Sequence, residues 1–464
     1  MMSTRRSFLR DSALVAGALG LTAPLDPILA SALKKSTSSG YGPLQAVNDL
    51  TTGQPLLKLP AGFSYRTFGW ANSPFDDGTA TPGAHDGMGV VRSDGDRITL
   101  IRNHEVVAAN GIFGASTPHY DDRASGGTST IVFNTRTGLV ESARASLSGT
   151  LQNCAGGATP WGSWLSCEEF VSVTGHAADA YDARSRDLAG LKHNHGYVFE
   201  VPATGRATAE PILAMGQFRH EAATVFQPTG DVYLTEDAYP AAGFYRFVPK
   251  RPGHLAQGGE LYMLKVLKHN DLRGDLPVGK RFSTKWLRIE DPEQGNSPGS
   301  IDGVGVLKQG LLAGGSMFTR LEGCYATADR VYFTATNGGI SKFGQVFAYF
   351  PRSQTLELVY QSPDAETIDY PDNVIASPHG GLLLCEDGKT RQDGQFLMGL
   401  SSHAELFRFA QNNVLIDKPV HGHEGDFRLT EWAGACFSAD GRWLFANVYS
   451  PGFTVAITGP WARG

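Results

Sequence analysis

One short pattern recurs six times along this chain, and it constrains the fold more than any other feature. A turn rich in Gly or Asp leads into an apolar run that often ends in acid. Asp94-Gly95-Asp96 leads into Arg97–Glu105, Pro160-Trp161-Gly162 into Ser163–Glu169, and Thr229-Gly230-Asp231 into Val232–Asp237. Ala328-Asp329-Arg330 leads into Val331–Asn337, His379-Gly380-Gly381 into Leu382–Asp387, and Asp440-Gly441-Arg442 into Trp443–Asn447. Such turns suit hairpins, and such runs suit buried strands. Before most of these turns another short strand begins at a polar or acidic residue. These starts are His85-Asp86-Gly87, His220-Glu221, Glu322-Gly323, Asp372-Asn373 and Glu431-Trp432; the second unit has Ala155-Gly156-Gly157.

Runs such as Gly196–Pro202, Gly243–Pro249, Gly344–Pro351 and Ala404–Phe409 read as outer strands of the same units. Six units of two hairpins describe an all-β protein, a six-bladed β-propeller with unequal blade insertions. The expected domain spans residues 60–464, preceded by an extension over 33–59. The longest insertion, from Arg251 to Met317, is polar and rich in Gly and Pro, and reads as a surface excursion. Another all-β topology is the alternative. The 56 glycines and the scarcity of helical periodicity agree with either.

The first residues carry a different message. Thr4-Arg5-Arg6-Ser7-Phe8-Leu9-Arg10 is a twin-arginine pattern, followed by an Ala- and Gly-rich stretch and by Ala30-Ser31-Ala32, a small-residue cleavage site. Asp11, Pro24, Asp26 and Pro27 interrupt the stretch, which disfavours a stable membrane anchor. Residues 1–32 are expected to be a signal peptide read by the twin-arginine export machinery. The mature protein is then periplasmic or secreted, and is expected to act as a monomer. The net charge of −6 offers no basic field for nucleic acid.

In an antiparallel hairpin, the start of the first strand and the end of the second lie at the same end. Asp86, Glu221, Glu322, Asp372 and Glu431 are therefore expected to ring one mouth of the central channel. Glu105, Glu168, Glu236 and Glu386 join them from the second strands. So many carboxylates together demand protons or cations, and hard oxygen donors suit Ca²⁺. Cys167 and Cys385 each precede a candidate ligand. A thiolate there would point to a transition metal; a buried structural cysteine, or a disulfide with Cys154 or Cys436, is the alternative. In the pairs His104-Glu105 and His220-Glu221 the strand alternation lets only one side chain face the channel, and the acid is favoured. Arg102, Arg219, Arg320, Lys342 and Lys389 lie near the mouth. Of these, Arg219, Arg102 and Lys389 are the candidates for contact with an anionic substrate.

At these residues the chain resembles the PhoX-type alkaline phosphatases. The matching blocks are Ile101–Glu105; Asn153–Gly157 with Thr159–Gly162 and Cys167-Glu168-Glu169; Phe218–Ala222; Thr235-Glu236-Asp237; Leu321-Glu322-Gly323; Pro371-Asp372-Asn373; Cys385–Gly388; Glu431–Gly434; and the closing run from Ser450 to Trp461. The resemblance implies a six-bladed propeller that binds iron, as Fe³⁺, with several Ca²⁺ ions and hydrolyses small phosphate monoesters. Carried onto the matching motifs, Cys167 would be the iron-ligating cysteine. Glu221 and Glu386 would be metal-bridging or iron ligands at the catalytic centre. Glu168, Glu236, Glu322, Asp372 and Glu431 would be further metal ligands. The chain is shorter than the well-known phosphatases of this type and reads as a compact branch. Two other readings fit the same architecture: a Ca²⁺-dependent lactonase or phosphotriesterase, and a non-catalytic metal-binding propeller.

Overall fold

The computed structural model describes residues 40–173, 188, 190–388 and 390–461. The proposed leader, residues 1–32, lies outside them. With 4% helix and 47% strand, the chain is nearly all-β. Six hairpins form where the turns predict them. They are His85–Asp94 with Arg97–His104, Asn153–Ala158 with Ser163–Glu168, His220–Phe226 with Asp231–Glu236, Leu321–Ala326 with Val331–Ala335, Pro371–Ala376 with Leu382–Glu386, and Trp432–Phe437 with Leu444–Val448. Strands near the centre are apolar on both faces: Leu382–Glu386 is buried along its whole length. Arg281–Arg288, farther out, alternates exposed and buried residues in its first half.

The first strands of the six hairpins lie side by side in chain order, and the sixth, Trp432–Phe437, returns to the first, His85–Asp94. They surround an axial cavity of about 590 Å³ lined largely by Gly, Ala, Ser and Thr. Further strands extend each hairpin outward. The third and fourth hairpins share one nine-stranded sheet, because Arg281–Arg288 pairs with Thr355–Gln361 at its outer side. The two end strands of that sheet, His220–Phe226 and Leu321–Ala326, also touch at the centre, so it nearly closes on itself. Apolar side chains fill the spaces between the sheets.

Two segments depart from the sequence reading. The Arg251–Met317 stretch is more than a surface excursion. It supplies the strands Gly259–Val266 and Arg281–Arg288 that join the third and fourth hairpins, besides the helix Gly305–Leu312. The described part of the 33–59 extension likewise enters the sheets, with Leu57–Pro60 pairing with the Leu406–Asn412 strand. The sixth hairpin takes its outermost strand, Ser64–Phe68, from the other end of the chain, paired with Phe453–Thr458.

Each of the six first strands carries a β-bulge near its start, between His85/Met88, Asn153/Gly156, His220/Ala223, Leu321/Cys324, Pro371/Val374 and Ala433/Cys436. A bulge sharpens the local twist and re-aims a side chain. Here the bulges bring neighbouring backbones into contact. A Cβ on Gly323 would lie 2.6 Å from Val374 N and 2.7 Å from Asn373 Cα. Gly434 has φ +59°, and a Cβ there would lie 2.4 Å from Asp86 O. Side chains of the second strands tie the next bulge in the ring. Asn103 Nδ2 donates to Cys154 O and Ala155 O, Thr235 Oγ1 to Glu322 O, Thr334 Oγ1 to Asp372 O, and Asn447 Nδ2 to Asp86 O.

Overpacking this contact is expected to cost about 1–3 kcal/mol. Urea unfolding of Gly323→Val should show a loss of that size; an unchanged midpoint would mean that the strands do not meet as described.

Candidate metal centre

The bulges decide which side chains reach the axis. In the first five hairpins the first bulged residue is Asp86, Cys154, Glu221, Glu322 or Asp372. The residue just past each second strand joins them where it is acidic: Glu105, Glu169, Asp237 and Asp387. Glu431, just before the sixth first strand, completes the set. One ligand atom from each of Asp86, Glu105 and Cys154 lies within 4.8 Å of the others; the same holds for Cys154, Glu169 and Glu221, and for Glu221, Glu322 and Asp372. Cys154 and Glu221 each belong to two groups, so the three form one continuous cluster.

Among the described residues, two arginines lie against this charge. Arg320 Nη2 lies 2.6 Å from Glu322 Oε1 and 3.1 Å from Asp237 Oδ2, and Arg219 Nη2 lies 3.8 Å from Glu169 Oε1. Among the described residues, nine carboxylates thus face two guanidinium groups. Burial, reinforced by Asp387, pushes the Asp372 carboxyl up to about 8. Burial also holds Asp86, Glu169, Glu221, Glu322 and Glu431 well above the usual range, with Glu105, Asp237, Glu322, Asp237 and Asp387 respectively as the strongest charged neighbours. The Cys154 thiol is raised by burial and by Asp86, to whose Oδ2 its Sγ donates at 3.2 Å.

Both Glu221 oxygens and Asp86 Oδ1 are buried with no hydrogen-bond partner. Buried carboxylate oxygens in this state are unfavourable unless a cation or proton meets them. A set of oxygens with one thiol therefore fits metal ions, chiefly hard ones, with one softer donor at Cys154.

Of the residues picked out in the sequence, Asp86, Glu105, Glu221, Glu322, Asp372 and Glu431 come together here, with Arg219 beside them. Glu168, Glu236, Glu386 and Cys167 do not. Glu168 accepts hydrogen bonds from Leu151 N, Gly196 N, Tyr197 N and His195 Nδ1. Glu236 accepts from Gly243 N and the Tyr245 hydroxyl, both at 2.8 Å. Glu386 accepts from Asp369 N, Phe396 N and Arg391 Nη2. Each of these three carboxylates fastens a loop to the end of its second strand. The Cys167 thiol is buried in an apolar cluster with Leu165, Val198, Phe218 and Ala223, and burial raises it. All five cysteines are free. Arg102 is also buried elsewhere, its guanidinium donating to Gly69 O and Thr454 Oγ1. Lys389 lies outside the described residues.

The sequence reading passed over Cys154 as a ligand, and Glu169, Asp237 and Asp387. The last three had a signal. Aligning Asn103, Cys167, Thr235 and Cys385 puts Glu105 in step with Glu169, Asp237 and Asp387, and the alternation of a strand then turns Glu168, Glu236 and Glu386 the other way.

The family model described as alkaline phosphatase PhoX matches residues 39–452. No curated protein matches. Among solved structures, similarity extends to an oligogalacturonate lyase in complex with manganese, at 11% identity over 90% of this chain and 96% of that one, TM-score 0.33. A periplasmic gluconolactonase of Pseudomonas aeruginosa gives 11% identity over 71% and 85%, TM-score 0.32. The PQQ domain of a pyranose dehydrogenase from Coprinopsis cinerea gives 9% over 89% and 100%, TM-score 0.31.

Two outcomes are expected from this geometry. Cys154→Ala and Glu221→Gln should lower the bound metal measured by elemental analysis, whereas Cys167→Ala should retain it; the reverse pattern would return the ligand role to Cys167. The second concerns His195, buried between Glu168 Oε1 at 2.6 Å and Asp121 Oδ2 at 3.6 Å. Burial opposes its charge, but the two carboxylates outweigh burial and hold the imidazolium at about 9. Its folded pKa exceeds the unfolded value, so its stabilisation is complete below about 6.5 and is lost as pH rises through about 9. The stability gap between wild type and His195→Gln should shrink by on the order of 3 kcal/mol between pH 6 and pH 10. A pH-independent gap in urea unfolding would contradict this.

Proposed function

Since the chain belongs to the alkaline phosphatase PhoX family and is a phosphatase, a phosphoric ester hydrolase, we propose that it cleaves small phosphate monoesters at the cluster around Glu221 and Cys154. The observation that carries the assignment is the pair of unpartnered, buried Glu221 oxygens shared between two groups of potential ligands. The closed succession of first strands, the repeated bulges and the axial cavity support a six-bladed β-propeller with this cluster at one mouth of its channel.

Glu221, which belongs to two of the groups, would hold cations with its oxygens. Asp86, Glu105, Glu169, Glu322 and Asp372 would supply further oxygens, and Cys154 the sulfur. The donor chemistry supports Fe³⁺ next to Cys154 and Ca²⁺ among the carboxylates. Bound cations would polarise the phosphoryl group and offset charge on the leaving oxygen. The protein's own part is to hold the donors apart at fixed spacing by the bulged backbone and to orient the phosphate. Arg320, beside Asp237 and Glu322, and Arg219, beside Glu169, are the cations placed for that orientation. Export by the twin-arginine route to the periplasm or beyond completes the proposal, supported by the leader motif. No helix among the described residues is long and apolar enough to cross a membrane.

Protein purified without chelator should contain iron together with calcium and should hydrolyse p-nitrophenyl phosphate. Glu221→Gln should lower that activity about a hundredfold or more. Calcium alone, with turnover of a lactone panel and none of the phosphate ester, would sink the proposal.

A further inference from the structure

Two loops leave the acidic end of the third and fourth hairpins, and each exposes a large apolar side chain. In the first, Tyr239 follows Asp237 by two residues and is 61% exposed. In the second, Ile340 is 70% exposed. A lone exposed apolar residue needs no explanation. The loops that carry these two, however, are held on either side of one residue, Arg320, whose guanidinium reaches Glu322 and Asp237. Arg320 N donates to Ala238 O at 3.0 Å, and Thr336 N donates to Arg320 O at 2.9 Å, so the loops flank Arg320. Arg273, from the segment between the third and fourth hairpins, links them from the other side. Its Nη1 donates to Pro240 O at 3.0 Å, and its backbone oxygen accepts from Gly339 N at 2.9 Å. Asp271 fixes that guanidinium, with Nη2 at 2.7 Å from Oδ2.

We propose that Tyr239 and Ile340 form a ledge that receives the organic group of the phosphate ester, so that monoesters of aromatic or alkyl alcohols are preferred over those of glycerol or sugars. This rests on the phosphatase reading of the cluster. A phosphoryl group held beside Arg320 projects its ester substituent toward the two flanking loops. An apolar substituent there leaves water against the tyrosine ring and the isoleucine side chain. A polyhydroxylated substituent gains no such burial. Selectivity is then set by two side chains that lie outside the set of metal donors.

The test compares benzyl phosphate with glycerol 1-phosphate, both esters of primary alcohols, in wild type and in the double variant Tyr239→Ser/Ile340→Ser. Wild type should favour benzyl phosphate in kcat/KM by about tenfold or more. The double variant should lose most of that preference through KM for benzyl phosphate, with inhibition by inorganic phosphate unchanged. No preference in wild type, or a preference that survives the double substitution, overturns the ledge. If metal-replete wild type hydrolyses neither ester, the phosphatase reading fails, and calorimetry with benzylphosphonate and methylphosphonate decides the ledge alone. Tighter binding of the benzyl compound that disappears in the double variant supports it; equal binding of the two overturns it.

Discussion

Contact of backbone with backbone at one end of six inner strands is the constraint from which the rest of the structure follows. Where Gly323 lies against Asn373 and Val374, and Gly434 against Asp86, no side chain fits between neighbouring strands. The bulges that create these contacts also turn the adjoining residue toward the axis. Position, rather than any local preference for burial, therefore gathers Asp86, Glu221, Glu322 and Asp372 into one small volume. A wider ring would leave the same acids as ordinary solvated residues at strand ends.

That gathering has an energetic consequence for the whole fold. Hydrogen bonds hold the carboxylates Glu168, Glu236 and Glu386, which turn away from the axial set, and Arg391 adds a charge partner to the last. At the axis, both Glu221 oxygens and Asp86 Oδ1 lack such provision, and Arg219 and Arg320 answer only part of the charge. Cations that bind the folded cluster and not the unfolded chain add their binding free energy to stability. Folding and metal content are thus one equilibrium at this mouth. The arginines matter to both, because each guanidinium lowers the repulsion that the cations must otherwise offset.

The hairpins were legible because each is local: a turn such as Thr229-Gly230-Asp231 and the apolar run after it lie within one stretch of sequence. The acids that open the first strands were legible for the same reason. Three second-strand acids were read one residue early. The residues that set their phase, Asn103, Thr235 and Asn447, reveal their role only through bonds to the neighbouring hairpin. Cys154 gave no acidic signal of its own and gains its meaning from the proximity of Asp86 and Glu221 across hairpins. The cysteine that drew attention, Cys167, occupies the position of Asn103 and Thr235, where the side chain faces the neighbouring sheet and not the axis. The partnership of Arg281–Arg288 with Thr355–Gln361 was hidden in a stretch whose polarity suggested only loop.

The strand Ser64–Phe68 has a temporal consequence. It is made before any of the six hairpins, yet its partner, Phe453–Thr458, follows all of them in the chain. The ring cannot be sealed until the sixth hairpin and the strand after it have been made. Asn447, which ties Asp86, and Glu431, which completes the acidic set, also arrive late. A ribosome-bound intermediate can form the first five hairpins and still present an unfinished acidic mouth. The acidic mouth is complete only once Glu431 and Asn447 have been made, so full cation loading must follow synthesis of the sixth hairpin.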